Sequence, residues 1–229
     1  MVAIRRGPRR EGVPPLVRLD EPSRGLWDDD LSDVAQALLG SAALCFAAKG
    51  FHATRTRDIT SQLGLTPGAL YVHFSTKEDV LYEIVRTCHQ RALERLGDAL
   101  DPGGAPETRL RQAVAAFVEW HAENHTAARV CQYELSPLSP KHYAAVLGLR
   151  SQFNAIFRDA VRRLAGVDTP EADVNRVVRA ILSLGVDLVR WYRLEDPDTP
   201  ASLGAFYAEL AVQMTVAVRT GDPSRSYEG

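Results

Sequence analysis

Two histidines lie four residues apart near the end of a helical pattern and are the first side chains that suggest metal chemistry. His121 and His125 share one helical face, with Glu119 and Glu123 close in sequence. Zinc hydrolases use the order His-Glu-x-x-His, in which the glutamate acts as general base. Position 122 is alanine here, so the sequence favours solvated helix-end histidines over a zinc site. We expect neither a metal nor a cofactor.

Three cysteines are the remaining candidates for soft ligands or nucleophiles. Cys45, Cys88 and Cys131 are odd in number, far apart and set in apolar helical patterns. Such spacing predicts reduced, buried thiols rather than disulfides or a metal cluster, and therefore a cytoplasmic location. The sequence also has neither a glycine-rich phosphate loop nor a nucleophile elbow, which disfavours an all-helical enzyme.

A basic stretch lies within a chain whose net charge is −2. From Lys49 to Lys77 the sequence also contains Arg55 and Arg57, against Asp58 alone, which gives the stretch a net charge of +3. A local cationic patch is what a nucleic-acid contact requires when the whole protein is not basic. No apolar run approaches the roughly 18 residues that a membrane span needs, so no membrane partner is expected.

The periodicity around these residues predicts an all-α chain. An apolar face repeats every fourth residue from Leu31 to Phe46, and Gly50 supplies a stop after it. Beyond the Pro- and Gly-rich loop 101–106 the patterns are helical throughout, and no strand is predicted. The later helices are predicted over residues 106–123, 126–135, 140–165, 170–193 and 200–219.

A helix-turn-helix is predicted between Thr54 and Phe74. Thr54 is the expected cap of a short helix that runs to about Leu63. Gly64 then occupies a turn that needs a residue tolerant of positive φ, and Thr66 is expected to cap the second helix. Two short helices joined in this way present the second one to the major groove of DNA.

This stretch resembles the TetR family of bacterial regulators. The resemblance implies an N-terminal three-helix DNA-binding domain and a C-terminal helical domain for effector binding and dimerisation. Thr60 and Leu63 stand where the family usually has alanine, which alters the packing between the two short helices. The matching residues are Gly50-Phe51, Thr54, Arg57-Asp58-Ile59, Gly64-Leu65-Thr66, Gly68, Leu70-Tyr71, His73-Phe74 and Lys77-Glu78.

Four segments follow from this organisation. They are a basic Pro- and Gly-rich arm over 1–27, a DNA-binding domain with its connecting helix over 28–100, an effector-binding and dimerisation domain over 101–220, and a tail over 221–229. The arginines of the arm either reach an adjacent minor groove or belong to a disordered leader.

The resemblance also implies which residues contact DNA. Small residues at the start of the second helix let it enter the groove, while Tyr71 and His73 lie on its outward side. Lys77 corresponds to the family's usual phosphate anchor. The predicted DNA-binding residues are Thr54, Arg55, Thr66, Pro67, Gly68, Ala69, Tyr71, His73 and Lys77.

Parts of this stretch have other interpretations. Arg57 and Asp58 are also consistent with a solvated surface pair, and Tyr71 with a half-buried structural tyrosine. Few long polar side chains lie on the second helix, so shape and phosphate contacts are expected to matter more than bidentate base recognition.

Aromatic and polar-tipped side chains recur in the second half of the chain and suggest an effector cavity. The alternative is that aromatic residues at helical spacing form ordinary core. The predicted ligand-binding residues are Phe117, Trp120, His121, Cys131, Tyr133, Phe153, Phe157, Arg190 and Trp191.

The run Arg-Trp-Tyr-Arg over residues 190–193, followed by an acidic Pro turn, resembles the effector domain of TetR-type regulators of fatty-acid or steroid breakdown. Several of these regulators sense acyl-CoA thioesters. Arg190 and Arg193 would then meet the phosphates of CoA. The favoured alternative is that they cap the helix end or pair with Glu195 and Asp196.

The helices 170–193 and 200–219 carry enough apolar residues to form an isologous homodimer interface. Together with this interface, the resemblance to the TetR family implies a repressor that binds a palindromic operator in double-stranded DNA as a dimer. A small hydrophobic or acyl-CoA-like effector would release it. The alternative from a different class is a helical adaptor or structural protein that no longer binds DNA.

Overall fold

A computed structural model describes residues 25–193 and 195–219. Within these ranges the helices are joined by loops and turns and there is no strand, which confirms the all-α prediction. The ranges 106–123 and 140–165 match two observed helices. The helices are α1 (Asp33–Lys49), α2 (Thr56–Ser61), α3 (Gly68–His73), α4 (Lys77–Ala99), α5 (Pro106–Glu123), α6 (His125–Tyr133), α7 (Pro140–Ala165), α8 (Glu171–Trp191) and α9 (Pro200–Ala217).

The helices form two compact units. The N-terminal unit comprises the described residues up to Cys88 together with Thr126–Val146, and the C-terminal unit comprises His89–His125 and the described residues from Leu147 onward. The division therefore runs through α4 and α7 rather than through the loop at 101–106. The predicted arm and tail lie largely outside the described residues, and the four predicted segments remain predictions.

In the N-terminal unit, α1 is a core helix. Ser32 caps its first turn by accepting a hydrogen bond from the Ala35 N–H at 3.3 Å. Every residue from Leu38 to Phe46 is buried, so the helix is covered on all sides. Gly50 ends it with φ of 80°, a backbone conformation that glycine adopts without strain.

In the C-terminal unit, α5 packs against α8 and α9 at two glycines. A Cβ added at Gly185 would lie 2.7 Å from a ring carbon of Phe117, and one added at Gly204 would lie 2.8 Å from Cγ of Glu119. An added Cβ at either position would force the neighbouring side chain to shift, so glycine allows α8 and α9 to approach α5 closely.

The three cysteines are buried, and no disulfide joins them. Burial raises the pKa of Cys88 well above its ordinary value, and the neighbouring Cys131 thiol raises it further. Along 25–193 and 195–219, no helix has an apolar stretch long enough to cross a bilayer.

Candidate nucleic-acid interface

Two short helices and a glycine turn form the predicted helix-turn-helix. The turn follows α2 and reaches Gly64, whose φ is 69°. The Leu65 N–H returns to the Thr60 carbonyl at 3.0 Å and tightens the turn. Both helices are shorter than expected, since α2 ends at Ser61 rather than at Leu63, and α3 begins at Gly68.

Thr54 does not have its predicted roles. Its side chain is buried, and its hydroxyl donates to the Gly50 carbonyl at 2.8 Å, with the Cys45 carbonyl 3.2 Å away. The hydroxyl therefore closes the end of α1 instead of capping α2, and a buried side chain cannot contact DNA. At the start of α2, the Asp58 carboxylate instead accepts the Arg55 N–H at 2.8 Å.

Lys77 ties the loop between α1 and α2. Its ammonium group donates to the carbonyls of Phe51 at 2.8 Å and Thr54 at 2.7 Å, and lies 4.1 Å from the centroid of the Phe51 ring. Burial lowers the pKa of Lys77 below its usual value of 10.5. Two of the three N–H groups of its ammonium are thus bonded inside the unit. Lys77 therefore has a structural role, whereas the sequence predicted only a contact with phosphate.

Asp58 pairs with Lys49 and not with Arg57. The Lys49 ammonium lies 2.6 Å from the Asp58 carboxylate, and this hydrogen bond lowers the pKa of Asp58. The interpretation of Arg57 and Asp58 as a surface pair is therefore wrong. Arg55 and Arg57 are both exposed, and no carboxylate of the described residues forms an ion pair with either guanidinium.

The structure brings most of the predicted contact residues into one exposed stretch. Leu70 is fully buried and Phe74 nearly so, which anchors α3 from beneath. Tyr71 is 54% exposed, and its hydroxyl lies 3.1 Å from Oγ1 of Thr56. Ala69 is half-buried. The exposed residues of the stretch are Thr66, Pro67, Gly68, Tyr71, Val72 and His73.

Sequence reasoning missed two residues of this region. Val72 is 79% exposed, and the buried positions of Leu70 and Phe74 were a signal that the residues between them face outward. Glu134 lies just after α6, and its carboxylate accepts the Phe51 N–H at 2.9 Å. No local pattern links Glu134 to a loop that lies 83 positions earlier.

Part of the predicted effector set forms a buried aromatic cluster in the C-terminal unit. The ring centroid of Phe117 lies 5.6 Å from that of Phe153 and 5.2 Å from that of Phe157. His121 packs against Phe117 and Trp120, with centroids at 4.2 and 5.2 Å. All five side chains are buried.

His121 is not the solvated helix-end residue that the sequence favoured. Its Nδ1 lies 2.7 Å from the Phe117 carbonyl, and burial lowers its pKa to about 4. Within the described ranges, the group with metal-binding geometry is Glu78, Asp79 and His142, which includes neither His121 nor His125. The Glu78 carboxylate already accepts the Ser139 N–H at 2.8 Å and lies 2.9 Å from Nδ1 of His142.

The remaining predicted ligand residues do not join this cluster. Cys131 and Tyr133 belong to the N-terminal unit, where Cys131 is buried and Tyr133 is exposed, with the Arg129 guanidinium 5.6 Å from its ring centroid. Arg190 and Trp191 are exposed at the end of α8, and Arg190 pairs with Asp187 at 3.3 Å. The pairing expected with Glu195 or Asp196 is therefore wrong for Arg190.

Arg193 supports the helix-capping alternative. Its guanidinium donates to the carbonyls of Tyr192 at 2.8 Å and Arg190 at 3.4 Å. Its backbone N–H donates to the Asp196 carboxylate at 2.8 Å. The last carbonyls of a helix have no partner within the helix, and the bonds from the Arg193 guanidinium satisfy two of them at the end of α8.

Two family models match the chain. The model described as bacterial regulatory proteins, tetR family, matches residues 38–84, which include the helix-turn-helix. The model described as tetracyclin repressor-like, C-terminal domain, matches residues 103–215. The chain belongs to the TetR family. It is therefore a TetR-type transcriptional regulator and not an enzyme, as the sequence predicted.

Individual relatives agree with this assignment. The HTH-type transcriptional repressor KstR2 of Mycobacterium tuberculosis is 30% identical over 178 residues, which cover 76% of this chain and 89% of the relative. A solved tetR-family regulator from Rhodococcus RHA1 is 38% identical with a TM-score of 0.76, covering 84% of this chain and all of that one. The structure of AibR with isovaleryl coenzyme A and operator DNA is 16% identical with a TM-score of 0.68, covering 77% and 96%. That likeness shows a TetR fold.

Proposed function

We propose that this TetR-type regulator is a ligand-responsive repressor that binds a palindromic operator in double-stranded DNA as a homodimer. The observation that carries the proposal is the exposed stretch from Thr66 to His73 beside two exposed guanidinium groups, those of Arg55 and Arg57. A protruding short helix flanked by cations suits the major groove and its phosphates. A DNA-binding protein acts where the chromosome lies, so the cytoplasmic location belongs to this proposal.

The accessibility of each side chain in the folded N-terminal unit decides which residues are proposed to contact DNA. Thr54 is removed because it is buried, and Lys77 acts mainly by holding the loop that precedes α2. Arg57 is added as a phosphate contact because it is exposed and Asp58 is occupied by Lys49. The proposed contacts are Arg55, Arg57, Thr66, Pro67, Gly68, Ala69, Tyr71 and His73.

Homodimerisation through α8 and α9 is supported by apolar side chains that these helices leave exposed. Leu184 and Trp191 on α8 are 41% and 44% exposed, and Phe206 on α9 is 61% exposed. Exposed large apolar side chains on neighbouring helices are typical of protein interfaces. A twofold interface of this kind presents two copies of α3 to one palindromic site.

The proposed effector is a small hydrophobic molecule or an acyl-CoA. Two similar proteins support this class: KstR2 of Mycobacterium tuberculosis is a ketosteroid transcriptional regulator, and the structure of AibR contains isovaleryl coenzyme A and operator DNA. The candidate contact residues in the C-terminal unit are Phe117, Trp120, His121, Phe153 and Phe157, with Arg190 and Trp191 at the end of α8. Binding there would favour a conformation in which the two copies of α3 no longer match the operator. Titration calorimetry with a panel of acyl-CoAs should show heat, and its absence removes the acyl-CoA class.

The salt dependence of DNA binding tests the repressor proposal. The full chain selects a duplex from a random pool, and Kd is then measured from 50 to 200 mM salt. In a dimer, Arg57→Gln removes two phosphate contacts and should make the slope of log K against log salt less negative by about two. The matched control is Arg163→Gln, an exposed arginine on α7 of the C-terminal unit, which should leave the slope unchanged. No selected duplex, or one slope for all three proteins, contradicts the proposal.

A further inference from the structure

Val72 is an apolar side chain that the folded N-terminal unit leaves in solvent. It is 79% exposed, more than any other large apolar residue of the described part of that unit. Its neighbours along α3, Tyr71 and His73, are also exposed, while Leu70 and Phe74 hold the helix against the core. An isolated exposed valine has no role in the packing of this unit. The side chains around Val72 therefore indicate which kind of partner it contacts.

The residues around Val72 lack the polar side chains that make the strongest contacts with bases. Bidentate contacts to bases need Arg or Lys for guanine and Asn or Gln for adenine. Between Thr66 and Phe74 the sequence has none of these residues and no acid. The Tyr71 hydroxyl is already bonded to Thr56. A contact between an apolar side chain and the C5-methyl group of thymine is then the direct recognition that α3 can offer through its most exposed residue.

The charge beside Val72 favours DNA over a protein partner. The bond between Tyr71 and Thr56 is 3.1 Å long and joins α3 to the first residue of α2. Thr56 lies between Arg55 and Arg57, whose exposed guanidinium groups form no ion pair with the described carboxylates. The apolar side chain of Val72 beside the Arg55 and Arg57 guanidinium groups is complementary to the methyl group of a thymine that lies between backbone phosphates.

We propose that Val72 reads the methyl group of one thymine in each half-site of the operator. This inference rests on the proposed function and adds to it the base feature that α3 distinguishes. Burying one methyl group contributes about 0.8 kcal/mol, which is about fourfold in Kd. Removing the methyl group from both half-sites should therefore weaken binding by roughly sixteenfold.

Deoxyuridine substitution isolates this methyl group, because it removes the methyl and leaves every hydrogen-bonding group of the base. The duplex selected by the full wild-type chain is resynthesised with single thymines replaced by deoxyuridine in both half-sites, and Kd is measured at fixed salt. Wild-type protein should lose about fourfold per half-site at one thymine position. Val72→Ala should bind the thymine and deoxyuridine duplexes with equal affinity at that position.

A matched control separates the contact from a general effect of the substitution. Val167 is 87% exposed in the C-terminal unit, so Val167→Ala makes the same change at a similar exposure in the unit that lacks α3. This variant should keep the wild-type ratio of the two Kd values. Unchanged thermal unfolding of both variants checks that the substitutions leave the fold intact.

The outcomes distinguish this inference from the proposed function. If no duplex is selected, the proposed function is contradicted, and so is the inference that rests on it. If a duplex is selected but no thymine responds to deoxyuridine, or if the response persists in Val72→Ala, only the inference is overturned. If Val72→Ala instead changes the sedimentation of the free protein and leaves the ratio intact, Val72 contacts a second copy of the chain, and the inference is again overturned.

Discussion

Tyr71 on α3 and Phe157 on α7 are both aromatic residues of helices, but one is exposed in its unit and the other is buried. Tyr71 is 54% exposed and held by a hydroxyl of the neighbouring helix, whereas Phe157 is fully buried against Phe117. The first is positioned for a partner outside the chain and the second for the interior of its own unit. Residue type alone does not separate these roles, and the buried neighbours of each residue do.

The largest expected effect is on stability, from truncating the two aromatic residues in turn. Phe157→Ala should lower the free energy of unfolding by about 3–5 kcal/mol, because it leaves a cavity in a packed cluster. Tyr71→Ala should change it by less than about 1 kcal/mol, since the residue is half-exposed and loses one surface hydrogen bond. Urea unfolding at a fixed protein concentration measures both.

DNA affinity of the same two variants gives the second half of this comparison. Tyr71→Ala should weaken binding to the selected duplex, while Phe157→Ala, studied at a temperature where it stays folded, should bind close to wild type. A small stability loss in Phe157→Ala would mean that the cluster is loosely packed around a cavity, and the contrast between the units would fail.

The second prediction concerns pH and His121. Its folded-state pKa is about 4, lowered from 6.5 by burial among Phe117 and Trp120, with His89 the nearby titratable group. Between pH 6.5 and 4 the unfolded chain takes up a proton at this position that the folded chain does not. The unfolding free energy should therefore fall as pH drops through this window, by about 3 kcal/mol in total.

Two histidine substitutions test the source of this pH dependence. His121→Gln keeps a group able to bond to the Phe117 carbonyl and should remove this part of the dependence. His52→Gln, at an exposed position of the N-terminal unit, should leave it unchanged. Urea midpoints at pH 7, 6, 5 and 4.5 give the comparison. Equal slopes for wild type and His121→Gln would contradict a buried, neutral His121.

The helix-turn-helix was predictable because backbone requirements fix its residues in order. Gly64 stands where φ is positive, and Leu70 and Phe74 are the buried pair of a helix with room for only two turns. Errors arose where a side chain had two possible partners. Thr54 caps the end of α1 rather than the start of α2, because its hydroxyl reaches the Gly50 carbonyl four residues earlier. Lys77 bonds to a loop whose position no local pattern gives.

The C-terminal unit was less predictable because helical periodicity identifies a buried face without naming the helix that covers it. Cys131 was grouped with Phe117 on similarity of pattern, and the two residues belong to different units. Trp191 is 44% exposed at the end of α8, and a large apolar side chain at a helix end gives no local signal of whether another helix covers it. The close approaches at Gly185 and Gly204 left no signal, since an isolated glycine in a helical pattern has several explanations.

The smallest expected effect comes from adding one methyl group at a helical glycine in α8. In Gly185→Ala the new Cβ would lie 2.7 Å from a Phe117 ring carbon, so the ring and α5 must shift. We expect a loss of about 1–3 kcal/mol, partly offset by the higher helix propensity of alanine. The control is Gly148→Ala on α7, where nothing lies within 4 Å of the added Cβ and a gain of about 0.5–1 kcal/mol is expected. If α5 and α8 are closely packed, thermal and urea unfolding should show a lower free energy of unfolding for Gly185→Ala and a higher one for Gly148→Ala. A gain in both would mean that Phe117 moves freely, and the cluster would then have the plasticity of a ligand cavity rather than the rigidity of a core.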